Sequence, residues 1–168
     1  MGRRINPEGL AAWRQQAIDR MTQSRAATLK FLARLPEREM VRPRTQGQWS
    51  IKDVLAHIAA WEEEAVRRLK LIARGRGERI VFYDDMRQAN EFNARAVAAA
   101  RNTSPSPLLR RMARVRQSLI EQLLALPPGS LQETSHRYPV TAWLPEFCWT
   151  HERDHLRRIR AWWLWSSG

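Results

Sequence analysis

Apolar residues that recur at steps of three and four dominate this sequence and constrain its fold more than any other feature. This spacing places side chains on one face of an α-helix, whereas a half-buried β-strand needs strict alternation of apolar and polar residues. The chain shows no such alternation of any length, and four long helical stripes can be traced. Their apolar positions run from Leu10 to Leu35, Ile51 to Ile72, Leu108 to Leu126 and Leu144 to Trp162.

Capping residues mark where several of these helices begin. Ser50, followed three residues later by Asp53, is typical of a capping box at the start of the second helix. Ser106 before Pro107 predicts the start of the third long helix, with proline at its first position. The last helix is predicted to run as one element from near Thr141 to the C-terminus.

The connection between the second and third long helices determines the topology. It runs from about residue 73 to about residue 106 and carries a short helical pattern after Asp84. This is too long for a tight hairpin between antiparallel helices. We therefore predict an all-α protein, a four-helix bundle with one long crossover connection that carries an extra short helix. The length fits a single domain over residues 1–168.

The balance of charges is strongly basic. The chain has 29 Lys and Arg against 17 Asp and Glu, which gives a net charge of +12. The excess is spread over several helices and does not form a basic tail. Two interpretations remain open, an ordinary solvated basic surface or a surface that binds nucleic acid.

Cysteine content and hydropathy exclude other classes of protein. The single cysteine, Cys148, cannot form an internal disulfide, and it is too few for a cysteine-based zinc ribbon or iron–sulfur cluster. No apolar run approaches the ~20 residues that span a bilayer, and the N-terminus lacks the apolar region of a secretory signal. We therefore expect a cytoplasmic protein with no membrane partner.

Three of the four histidines fall on lines that face the predicted core. His151 and His155 lie one turn apart on the apolar stripe of the last helix, and His57 lies at the flank of the second stripe. Facing helices can bring the three together, and three neutral imidazoles suit Zn²⁺ or Ni²⁺ while leaving coordination positions open. The alternative is a set of hydrogen-bonded core histidines. His136 is predicted to lie at the surface or at the rim of the site, in the loop before the last helix, with no assigned role.

Aromatic and polar residues near these histidines are candidates for a substrate pocket and for catalysis. Trp49, Trp61 and Trp143 cluster in sequence around the starts of the second and fourth helices and can wall a pocket, although tryptophans also fill bundle cores. Glu64, near the His57 side of its helix, is a candidate general base, and the alternative is a solvated carboxylate paired with arginine. Further candidates on the crossover connection are Tyr83 and Asn90.

Two stretches of the chain resemble a known family. The stretch 49–62, Trp-Ser-Ile-Lys-Asp-Val-Leu-Ala-His-Ile-Ala-Ala-Trp-Glu, resembles the second-helix signature of the DinB-like (YfiT-like) metal-binding superfamily. The stretch 151–162, His-Glu-Arg-Asp-His-Leu-Arg-Arg-Ile-Arg-Ala-Trp, resembles its fourth-helix signature. The start of the first stretch and the inserted helix with Asn90 are similar to the ClbS/DfsB branch.

The resemblance implies a four-helix bundle with a long crossover and a divalent ion held by His57, His151 and His155. It also implies a possible low-molecular-weight thiol and chemistry on an electrophilic small molecule in stress or detoxification. We therefore predict a metal-dependent enzyme, a thiol transferase or a hydrolase, that activates a thiol or water and forms a homodimer. Two alternatives remain open, a non-catalytic basic helical protein that binds nucleic acid and a structural bundle with a vestigial metal site.

Overall fold

The structure is a computed structural model that describes residues 5–133 and 136–166. Over these ranges the chain forms α-helices joined by loops and short 3₁₀ turns, with no β-strand. The 3₁₀ turns span Gly77–Arg79 and Pro128–Leu131. The helices are α1 (Pro7–Leu32), α2 (Glu37–Met40), α3 (Ile51–Ala73), α4 (Met86–Ala99), α5 (Pro105–Ala125), α6 (Val140–Phe147) and α7 (Trp149–Ser166). Across the described residues, every helix is too short or too polar to cross a membrane.

The four long helices form a bundle with one cluster of buried apolar residues toward each end. Helix α1 begins in the first cluster with Leu10 and ends in the second with Leu32, and α7 likewise passes from Trp149 to Ile159. Helices α3 and α5 pass the opposite way, from the second cluster to the first. Helices α1 and α7 are therefore parallel to each other and antiparallel to α3 and α5. This arrangement confirms the predicted bundle.

The parallel pairing explains the long crossover. Helices α3 and α5 run in the same direction, so the chain must return along the bundle before α5 can begin. Helix α4 and its flanking segments make this return, and α4 packs mainly against α3. None of the residues of α4 is fully buried. The crossover helix thus lies on the bundle without entering its core.

Two predicted boundaries differ in the structure. Helix α5 begins at Pro105 with Ser104 as N-cap, two residues before the predicted start. Pro107 is tolerated inside the first turn because the N–H groups there have no partner within the helix. The predicted last helix is divided at Cys148, whose φ of −122° and ψ of −102° lie outside helical geometry. Pro145 has no backbone N–H to donate. The last turn of α6 ends with a hydrogen bond between residues three apart, from Cys148 N to Pro145 O at 3.2 Å.

Four charged side chains meet inside the bundle, one from each long helix. Arg25, Glu62, Arg116 and Glu152 come from α1, α3, α5 and α7, and all four are buried. Arg25 Nε lies 2.7 Å from Glu152, and an Arg25 terminal nitrogen lies 3.0 Å from Glu62. Arg116 pairs with the same two carboxylates. The two positive and two negative charges balance, so no net charge is left in the low-dielectric interior.

Each guanidinium in this cluster also donates to a backbone carbonyl of another helix. Arg25 donates to Met112 O at 3.0 Å, and Arg116 donates to Met21 O. Burial by itself lowers the pKa of Arg116, but Glu62 and Glu152 outweigh it and raise that pKa. Burial likewise raises the pKa of Glu152, but Arg25 and Arg116 outweigh it and lower that pKa. Arg116 and Glu152 therefore stay charged, and the cluster joins all four long helices.

Removing one member of this cluster is predicted to be strongly destabilising. In Arg116→Met, two buried carboxylates share one guanidinium, and breaking a buried pair in this way costs about 3–5 kcal/mol of the free energy of unfolding. Urea denaturation followed by circular dichroism measures the loss. The matched control is Arg87→Met, which breaks the exposed pair with Glu91 and should cost about 1 kcal/mol or less. Equal losses in the two variants would contradict a stabilising role for the cluster.

Candidate metal centre

The three histidines singled out in the sequence converge at one point between α3 and α7. His57 Nε2 lies 2.8 Å from His151 Nε2, and His151 Nε2 lies 3.0 Å from His155 Nε2. One ring nitrogen of each residue lies within 4.8 Å of the others. Helix α7 supplies two of these nitrogens from successive turns, and α3 supplies the third from the facing helix. Among the described residues, these three form the group that can hold a metal ion.

The donor set fits a cation better than it fits hydrogen bonding alone. A neutral imidazole nitrogen carries either one hydrogen or one lone pair, so His151 Nε2 cannot form good hydrogen bonds with both of its neighbours at once. A divalent ion would accept all three lone pairs. The arrangement is therefore chemically suited to a metal ion.

The protonation state of the cluster also suits a metal. Burial, reinforced by His151 and His155, lowers the pKa of His57 to about 3. Burial lowers the pKa of His151 to about 4, although Glu152 and Asp154 oppose the shift. Burial, together with His151 and Arg158, lowers the pKa of His155 to about 3. All three rings are neutral at pH 7, and the neutral ring is the form that binds metals.

A glutamine in the loop before α3 orients one of the rings. Gln46 Oε1 lies 3.0 Å from His155 Nδ1. This contact places the ring hydrogen on Nδ1 and leaves the Nε2 lone pair directed at the cluster. The loop is closed by backbone hydrogen bonds between Gln46 and Trp49, and Gly47 supplies the positive φ of 61° that the turn needs. Gln46 was not among the residues selected from the sequence, since a loop glutamine has no periodic signal.

A small cavity of about 270 Å³ opens beside the cluster. Trp61, Asn93, Glu146 and Phe147 line it together with two of the histidines, His57 and His151. Of the three tryptophans assigned to a pocket, Trp61 lines this cavity and Trp49 packs on His57 with ring centres 5.0 Å apart. Trp143 does not line it, and instead packs behind Phe147 with ring centres 5.4 Å apart.

The catalytic candidates from the sequence lie outside the cavity. Glu64 is buried, and its carboxylate pairs with Arg67 at 2.7 Å and with Arg68 at 3.0 Å. Tyr83 packs edge-on against Trp61, with ring centres 5.2 Å apart. Asn90 is exposed on α4. One turn further along α4, the Asn93 side chain accepts a hydrogen bond of 2.9 Å from the Trp61 indole and so connects the crossover to the cavity wall.

Glu146 is a residue of the site that was not selected from the sequence. It is exposed and lines the cavity with His57 and His151. A single continuous helix would have placed it on a different face from His151, because five residues correspond to about 140° around a helix. The break at Cys148 removes that constraint. Pro145 is the sequence signal that could have revealed Glu146, because a proline at this position can mark a break in the predicted last helix.

The remaining histidine and the cysteine stand apart from the cluster. His136 is buried, so its predicted exposure was wrong, and burial lowers its pKa. Neither of its ring nitrogens has a hydrogen-bond partner among the described residues. Cys148 is also fully buried, and burial raises the pKa of its thiol well above the ordinary value.

Comparisons with known proteins agree with this fold. Residues 20–159 match the sequence model of the DinB superfamily. The solved structure of the colibactin self-resistance protein ClbS in complex with a dsDNA is similar, with a TM-score of 0.75. The similarity covers 88% of this chain and 93% of that chain at 11% sequence identity, and it concerns the fold alone. No protein of curated function is detectably similar in sequence.

Substitution of any one of the three clustered histidines is predicted to remove most of the bound metal. His57→Ala, His151→Ala and His155→Ala each leave two ligands, which hold a divalent ion far more weakly than three. Metal content is measured by mass spectrometry on protein purified without an affinity tag, and circular dichroism checks helicity. The control, His136→Ala, should keep its metal. Full metal content in the three cluster variants would contradict the assignment.

The contact between Gln46 and His155 gives a second prediction for this site. In Gln46→Met the ring loses its orienting acceptor, and zinc affinity should fall about 10- to 100-fold. Competition with a chromogenic chelator measures the affinity. Gln48→Met is the matched control, because Gln48 is exposed in the same loop. Equal affinity in the two variants would show that Gln46 does not position His155.

Proposed function

The chain belongs to the DinB superfamily, and on that premise we propose that it is a metal-dependent enzyme acting on an electrophilic small molecule. The nucleophile would be a thiol or water, and the reaction a transfer or a hydrolysis. The observation that carries the proposal is the convergence of three neutral imidazole nitrogens beside a cavity. A structural metal in a protein core would need no such opening.

His57, His151 and His155 would hold the ion, and their imidazoles suit zinc or nickel. When bound, a divalent ion favours loss of a proton from a thiol or water and so makes it nucleophilic near neutral pH. The cluster supplies three nitrogens, which leaves room in a four- or five-coordinate site for an exchangeable group. The chemistry then depends on what the cavity admits and on where the released proton goes.

The cavity selects for size and for aromatic contact. At about 270 Å³ it lies below the roughly 300–1,000 Å³ of typical ligand pockets, so it suits the reacting end of a substrate. Trp61 and Phe147 provide its apolar walls, with ring centres 4.8 Å apart. The hydrogen bond from Trp61 to Asn93 fixes one wall to α4. Because no residue of α4 is fully buried, a small shift of this helix can widen the cavity for a larger substrate.

Glu146 is the proposed proton acceptor. Its carboxylate lines the cavity and is exposed to solvent, so it can take a proton from the attacking thiol or water and release it to bulk water. Glu64 does not serve this purpose in our proposal, because Arg67 and Arg68 occupy its oxygens. Glu62 and Glu152 are held in the buried charge cluster.

Cobalt substitution tests the proposal. With three protein ligands, the cobalt spectrum should shift when cysteamine or azide is added, because a catalytic site keeps an exchangeable position. Glu146→Gln should retain this shift but slow the reaction of cysteamine with 1-chloro-2,4-dinitrobenzene about 10- to 100-fold. Glu37→Gln, an exposed carboxylate on α2, is the control. A spectrum that no added ligand changes would indicate a closed site and contradict an enzymatic role.

Nucleic-acid binding is a second candidate function. Two observations favour it, the net charge of +12 and the fold shared with ClbS, whose structure was solved in complex with a dsDNA. Positive charge attracts the phosphate backbone without regard to sequence. Binding of this kind uses an exposed surface, so it is compatible with a small-molecule reaction at the histidine cluster.

A further inference from the structure

The outer junction of α1 and α7, which we call the α1–α7 seam, is a concave surface lined by residues of both helices. It contains two cavities of about 430 and 530 Å³. On α1 the lining positions recur at helical steps from Arg20 to Arg34, and on α7 they recur from Trp149 to Leu164. The same face of each helix thus continues from one cavity into the next.

The charges that line the seam are all positive. They are Arg20, Lys30, Arg34, Arg153 and Arg160, and neither cavity has an acidic lining residue. Among the described residues, none of these five side chains forms an ion pair, whereas other exposed arginines such as Arg87 and Arg137 do. Asp19 and Asp154 are neighbours of Arg20 and Arg153 in sequence. In the described part of the chain, neither forms an ion pair with the seam residues. An uncompensated row of cations in a groove concentrates the field and favours a polyanion.

Shape and spacing narrow the choice of polyanion. The helical path from Arg20 to Arg34 measures roughly 21 Å at 1.5 Å per residue, a length over which several phosphates of a duplex strand can be contacted. The seam is concave, which suits a convex backbone and not the flat surface of a bilayer. Two of its aromatic residues, Phe31 and Trp149, are buried and the third, Trp163, is half-buried, so the lining offers no row of exposed rings for stacking the successive bases of a single strand.

We infer that the α1–α7 seam is a docking surface for the phosphate backbone of duplex nucleic acid. The inference rests on the second candidate function above and gives it a location. Arg153 and Arg160 project from a different face of α7 than His151 and His155, so the seam and the histidine cluster are separate sites on one helix. Contacts to phosphates alone carry no sequence information, so the binding should be independent of sequence.

Salt-dependent duplex binding tests this surface. Anisotropy of a fluorescent 20-base-pair DNA is measured over a range of salt for the wild type and for the quadruple variant Arg20→Gln, Arg34→Gln, Arg153→Gln, Arg160→Gln. The slope of log affinity against log salt should become shallower by roughly 3 to 4, about 0.9 for each lost phosphate contact. The control, Arg74→Gln, Arg76→Gln, Arg101→Gln, Arg114→Gln, removes the same charge from exposed positions outside the seam and should change the slope far less.

The outcomes separate the seam from the function on which it rests. Absence of duplex binding by the wild type at low salt would overturn the second candidate function and the seam together. Binding that weakens equally in both quadruple variants would overturn the seam alone. Tighter binding to single-stranded DNA or to phosphatidylserine vesicles, lost in the seam variant, would overturn the choice of duplex. Unchanged metal content and helicity in the seam variant would support a local effect on docking.

Discussion

The buried cluster of Arg25, Glu62, Arg116 and Glu152 determines how the four long helices fit together. Apolar stripes allow helices to slide past one another at modest cost, because leucine packs against leucine at many offsets. Buried charged residues do not allow such sliding. A shift of one turn would leave a buried carboxylate without its guanidinium and would lower the free energy of unfolding by several kcal/mol. The four residues, one from each long helix, meet at one level of the bundle. Their contacts fix the register of the α1 and α7 pair and of the α3 and α5 pair.

The register set by the charges also sets the geometry of the histidine cluster. Glu62 follows His57 on α3 by just over one turn, and Glu152 is adjacent to His151 on α7. Because α3 and α7 are antiparallel, the pairing of both carboxylates with the same two arginines holds these helices in the register in which the Nε2 atoms of His57 and His151 are 2.8 Å apart. The loop residue Gln46 then orients His155. A site of this kind depends on a core interaction that no ligand touches.

The sequence was sufficient to predict the features that depend on the regular spacing of residues along a helix. The helical stripes predicted the bundle and its crossover, and the spacing of His151 and His155 placed both on one face beside His57. Features that depend on tertiary contacts could not be predicted from the sequence. Gln46 acts through a loop turn, and Glu146 reaches the cavity because the helix breaks at Cys148. His136 was predicted to be exposed because it lies in a loop, yet that loop packs it into the interior.

The burial of Cys148 has a chemical consequence for the proposed reaction with electrophiles. Its thiol is fully buried beside the charge cluster, and burial raises its pKa well above the ordinary value, so almost none of it exists as the reactive thiolate. An alkylating substrate or an oxidised thiol cofactor would therefore meet no reactive cysteine thiolate on this chain, whose single cysteine is Cys148. Cys148 is thus protected against alkylation and mixed disulfides, and a thiolate that reacts with an electrophile in the proposed reaction would be one that enters from solution.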